Sequence, residues 1–88
     1  MTTQEKTKVD QRDMDMIHSP NLWPCWPFLP VKRYVDRKCI VGIVTHDDVR
    51  TVHDLNLARG WTSEEFDVAL ATPYASVEAM LEDGWMVD

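Results

Sequence analysis

Glycine and cysteine are scarce in these 88 residues, which hold three of the first and two of the second. With only Gly42, Gly60 and Gly84, no glycine-rich phosphate loop can be assembled. Cys25 and Cys39 do not stand at a metal-knuckle spacing, and they read as reduced, partly buried small hydrophobes rather than as a disulfide framework. No apolar run approaches the roughly 20 residues that span a bilayer. The opening MTTQEKTKVDQRDMD has no apolar signal region, so a cytoplasmic protein without membrane attachment is expected. Length is short too, and a chain of this size forms one cored unit.

What is present is enough to build that unit. The apolar fraction is 44% and includes four tryptophans, which argues for a packed core rather than wholesale disorder. The net charge of −6 conceals a gradient. Residues 1–16 carry three bases against four acids, a balance of −1. Residues 17–46 set Lys32, Arg33, Arg37 and Lys38 against Asp36 alone, a balance of +3. Residues 47–88 carry ten acids against Arg50 and Arg59, a balance of −8. A basic middle and an acidic end steer association and discourage contact between the acidic half and nucleic acid.

Residues 1–15 lack periodicity and read as a disordered tail, with a single small domain over 16–88. The stretch NLWPCWPFLP follows, with prolines at Pro24, Pro27 and Pro30. Each proline fixes its own φ and presses its predecessor toward extended geometry. At three residues per turn, Trp23, Trp26 and Leu29 share one edge and Cys25, Phe28 and Val31 another. So apolar a segment needs cover, and the expectation is a strap that closes the protein's own core. Pro27, Pro30 and Lys32 also satisfy a P-x-x-P-x-basic pattern, which resembles ligands of SH3 domains. Large aromatics before two of the prolines fit a strap better than a peptide ligand.

VKRYV and KCIVGIVT read as two strands joined at Asp36-Arg37, and CIVGIV is apolar on both faces. A lone hairpin is marginal in water, so WMV at 85–87 is the expected third strand. From residue 47 the spacing predicts helices. HDDVRTVHDLNLARG has Asp47 as cap and Val49, Val52 and Leu55 recurring up to Gly60. Thr62 and Glu65 form a capping box before Phe66, Ala69 and Leu70, which read as a buried stripe. Thr72-Pro73 opens a last helix with Val77, Met80 and Leu81 inward and Gly84 at its end. The fold class is therefore α+β: an antiparallel hairpin or three-stranded sheet packed against two or three short C-terminal helices, with an extended Trp/Pro strap.

From Asp47 to Gly84 the order helix, Gly-Trp, helix, helix resembles a ubiquitin-associated domain. Gly60-Trp61 stands where that family has its Gly-aromatic loop, Ala69-Leu70 at its second-helix core pair, and Val77 at a third-helix core position. The resemblance covers less than half the chain, and Arg59 replaces the usual hydrophobic residue before the glycine. It is treated as convergent helix packing, and no binding function is carried over.

The chemistry-bearing residues point away from catalysis. His18, His46 and His53, with Asp47, Asp48 and Asp54, are the sole candidates for metal or acid–base chemistry, and no H-E-x-x-H or paired C-x-x-C pattern accompanies them. No Ser–His–Asp order is arguable, and no cofactor is implied. The acidic face Glu64, Glu65, Asp67, Glu78, Glu82 and Asp83 could occupy a basic groove, although charged helix faces are usually just solvated. The leading expectation is a non-enzymatic protein-binding module, an accessory factor or inhibitor of bacterial or phage type. Its partner-binding residues are Trp23, Trp26, Lys32, Arg33, Arg37 and Lys38. The alternative is a nucleic-acid binder using the four basic residues and Trp26; a metal-dependent enzyme around His46 and His53 ranks third. The charge layout also permits self-association, head to tail or two-fold.

Overall fold

β-branched and aromatic residues on either side of Asp36-Arg37 pair into a hairpin, and the rest of the chain is laid on its two faces. The computed structural model describes residues 10–88. In chain order it contains α1 (Gln11–Ile17), a 3-10 turn (Pro20–Leu22), β1 (Phe28–Val35), β2 (Lys38–Thr45), β3 (Asp48–His53), α2 (Ser63–Val68), β4 (Ala71–Pro73), α3 (Val77–Glu82) and β5 (Met86–Val87). The strands form one antiparallel sheet in the order β4-β3-β2-β1-β5. Among the described residues no helix is long and apolar enough to cross a membrane.

The β1–β2 register runs from Phe28 opposite Thr45 to Val35 opposite Lys38. Asp36 and Arg37 both take positive φ, 50° and 68°, the geometry of a type I′ turn whose twist matches the strands. Neither is glycine or asparagine, and the eight-residue ladder holds the turn despite that. Pro30 sits inside β1 at no cost to this ladder. Its carbonyl accepts from the Asp88 N–H at 3.0 Å, so its nitrogen also faces the β5 side.

Alternation then sorts the side chains. Leu29 and Val31 point to one face of β1, opposite Val44 and Gly42 of β2, and all four positions are buried. This face carries the main core, with Ile17 of α1, Trp23, Val52, Trp85, and Val77, Met80 and Leu81 of α3. The Trp23 indole N–H donates to the Met16 carbonyl at 2.7 Å, so its polar atom is satisfied inside. Ile43 points to the opposite face and is also fully buried. Gly42 lets the layers close: a Cβ there would stand 2.7 Å from Val52 Cγ1 and 2.9 Å from the His53 carbonyl oxygen.

One polar network ties α3 to β1. Arg33 Nη1 donates to Asp83 Oδ2 at 2.7 Å, Tyr74 donates its hydroxyl to the same carboxylate, and the Trp85 indole donates to the Tyr74 hydroxyl at 3.0 Å. The Arg33 guanidinium carbon lies 5.1 Å from the centre of the Trp85 ring. Its buried Nε has no hydrogen-bond partner among the described residues.

Several sequence expectations need correction. The sheet has five strands, not two or three, and one of the three helices precedes it. α1 falls largely within the stretch read as a tail, with Asp10 capping it through the Arg12 N–H at 2.9 Å; residues 1–9 of the expected tail lie outside the described residues. The helix predicted over 47–60 is strand β3 followed by turns, which removes the first element of the ubiquitin-associated pattern. α2 has the predicted Thr62–Glu65 capping box, but it is only six residues long. Leu70, expected in its buried stripe, is 77% exposed. The last helix is capped by Ser76, whose hydroxyl accepts from the Ala79 N–H, while Thr72 and Pro73 belong to β4. There the Leu70 carbonyl accepts from Asp54 and the Tyr74 N–H donates to Arg50, so Ala71 and Pro73 turn their backbone polar groups away from β3.

The strap is split between inside and outside. Trp23 is 4% exposed and Trp26 is 56% exposed. Trp23→Ala is therefore expected to cost about 3–5 kcal/mol in urea unfolding, and Trp26→Ala less than about 1 kcal/mol. Gly42→Ala should cost about 1–3 kcal/mol by the same measurement, because the added methyl meets backbone that cannot rotate away.

Candidate functional site

The face of the sheet opposite the main core is covered only in part. α2 and the loop before it lie across the Phe28 end of the hairpin, and the uncovered remainder of that end forms an open groove of about 720 Å³. Its floor is aromatic. The Phe28 and Trp61 rings meet edge to face at 5.0 Å and 79°, Phe66 stands 6.5 Å from Phe28, and His53 lies 4.8 Å from Phe66. Trp26 forms one wall, its ring 5.0 Å from His46. These contacts follow from register: Phe28 leads β1, His53 ends β3 opposite Ile43, and His46-Asp47 is the two-residue turn between β2 and β3.

The wall is pinned by backbone hydrogen bonds. The His46 N–H donates to the Pro27 carbonyl at 3.1 Å, the Phe28 N–H to Cys25 at 3.0 Å and the Trp26 N–H to Trp23 at 3.3 Å. The buried Trp23 thereby helps fix its exposed neighbour.

The rim is acidic. Asp47, Asp48 and Asp67 border the groove, and among the described residues no lysine or arginine lines it. Asp48 accepts from the Thr51 hydroxyl at 2.7 Å and from the Arg50 N–H at 3.1 Å, and these bonds hold its carboxyl below the usual carboxylate range. Asp47 Oδ1 lies 3.3 Å from His46 Nε2. Burial pushes the His53 imidazole below its ordinary pKa of 6.5, an effect partly offset by the charge of Asp48. His53 is thus a neutral, apolar-leaning part of the floor near pH 7.

The six residues expected to bind a partner do not form one surface. Trp23 is in the core. Lys32 Nζ pairs with Asp88 Oδ1 at 3.3 Å, which raises its pKa, and Arg33 is committed to Asp83. Arg37 and Lys38 are exposed at the turn of the hairpin. Trp26 is beyond the hairpin's other end, so the two are separated by seven residue steps of β1 or more, at least roughly 23 Å. A phosphate-binding ribbon with a stacking tryptophan beside it is therefore not assembled here.

The groove draws on residues considered for other roles. His46 and His53 do come together, as wall and floor, from the ends of two strands. Among the described residues, no group of three or more His, Cys, Asp or Glu side chains is placed to hold a metal ion. Of the acidic face, Glu65 is spent on the α2 cap and Asp83 on Arg33, whereas Asp67 reaches the groove. Phe28 and Phe66 were legible as apolar residues, but nothing in their spacing indicates that they meet.

A lowered His53 pKa means the unfolded chain binds its proton first as pH falls. The neutral-form stability is complete above about pH 6.5 and is lost as pH drops through the folded-state value. Urea unfolding from pH 7.5 to 5 should show falling stability, with the slope reduced in His53→Phe; an unchanged slope would remove His53 as its source. Comparison with models of protein families, with curated proteins and with solved structures gives no match for this chain.

Proposed function

We propose that the protein is a non-enzymatic binding module whose groove takes a lysine- or arginine-bearing segment of a protein partner. The observation that carries this reading is the lining itself: exposed and half-buried aromatic rings inside, carboxylates at the rim, and no lysine or arginine among the described residues. Lysine and arginine suit both parts. Their aliphatic stems pack on rings, and their charged heads are attracted by ring faces and by carboxylates. A phosphate-bearing ligand would be repelled by Asp47, Asp48 and Asp67. The nucleic-acid reading has correspondingly less support, because its basic residues and Trp26 lie at opposite ends of the hairpin.

Fluorescence-anisotropy titration with a labelled Lys/Arg-rich peptide and an Asp/Glu-rich peptide of equal length tests this. The basic peptide is expected to saturate, to weaken with added salt, and to bind about tenfold more weakly to Trp26→Ala or Asp67→Asn. Equal binding of the acidic peptide, or no saturation by the basic one, would overturn the reading.

A further inference from the structure

The hairpin that holds the groove at one end carries at its other end the chemistry the groove lacks. Arg37 and Lys38 are exposed there, and neither forms an ion pair among the described residues, whereas Lys32, Arg33 and Arg50 all do. Tyr34 is 60% exposed on one face of the hairpin near the turn, and Ile40 38% exposed on the other. The turn is a fixed two-residue type I′ loop, so presenting it to a binding site costs little ordering entropy. With Asp36 included the turn keeps a balance of +1, against three aspartates around the groove.

The β1–β2 ladder holds turn and groove roughly 23 Å apart, so one molecule cannot close its groove on its own turn. We propose that the groove is occupied by the Arg37–Lys38 turn of a second copy of this chain, giving head-to-tail self-association. This rests on the groove reading above and names its occupant. The contact is heterologous: each pair leaves one turn and one groove free, so further copies add until a ring closes or the chain of copies ends. A charge of −6 on every copy opposes approach, which makes the contact weak and dependent on concentration. Salt screens that repulsion as well as the contact, so exchange between variants is more telling than salt.

Sedimentation velocity on the full chain, up to about millimolar concentration, reads the assembly directly. The wild type is expected to gain mass steadily with concentration. A turn variant, R37Q/K38Q, and a groove variant, D47N/D67N, should each stay monomeric. Mixed in equal amounts they should form a dimer and nothing larger, since only one intact turn meets one intact groove. Circular dichroism checks that both remain folded, and R37A/K38A serves if the glutamines unfold the turn. A monomeric wild type, self-association that survives in either variant, or a mixture that stays monomeric or grows past the dimer would overturn the proposal. A monomeric wild type that still saturates with the Lys/Arg-rich peptide leaves the groove reading standing; one that binds neither ends both.

Discussion

The rest of the structure answers to one constraint: β2 is apolar on both of its faces. Val44 and the space above Gly42 demand cover on one side, and Ile43 demands it on the other. In a chain this short there is not enough helix to satisfy both sides fully. α1, the Trp23 segment and α3 cover the first face around Leu29, Val31 and Val44, and the Arg33–Asp83–Tyr74–Trp85 network fastens α3 down. The second face receives only the six-residue α2 and its preceding loop. The groove is what remains of that shortage, and its rings are left half-buried or exposed.

The hairpin and its double-sided strand were legible because β-branched residues and a sharp change of composition coincide there. The segment 47–60 misled because Val49 and Val52 stand three apart, which suits a helix, while the competing signal was the β-branched run Val49, Thr51, Val52. Pairing with β2 and β4 decides in favour of the strand. Thr72-Pro73 is a sound local helix start, yet the helix begins only at Val77, after its Ser76 cap, because Tyr74 is bonded back to Arg50 as the ladder continues. Both failures are cases of sheet pairing overriding a local pattern.

The site was harder to see than the fold. Trp23 and Trp26 look alike in sequence, and only the hydrogen bond from the Trp23 indole to Met16 shows which of them is drawn inward. The basic cluster looked like one surface because four charges fall within seven residues. Lys32 and Arg33 are on opposite faces of β1, however, and each finds a carboxylate more than forty residues away in sequence. Phe28, Trp61 and Phe66 meet only through tertiary folding, and no periodicity encodes that meeting.

Pro73 has a consequence for how molecules of this kind can meet. On the outward margin of β4 it stands where a donor would be needed, and proline has none, so Ala71 alone offers an N–H to an arriving strand. Ribbon-like fusion of sheets through that margin is therefore obstructed by a single imino acid.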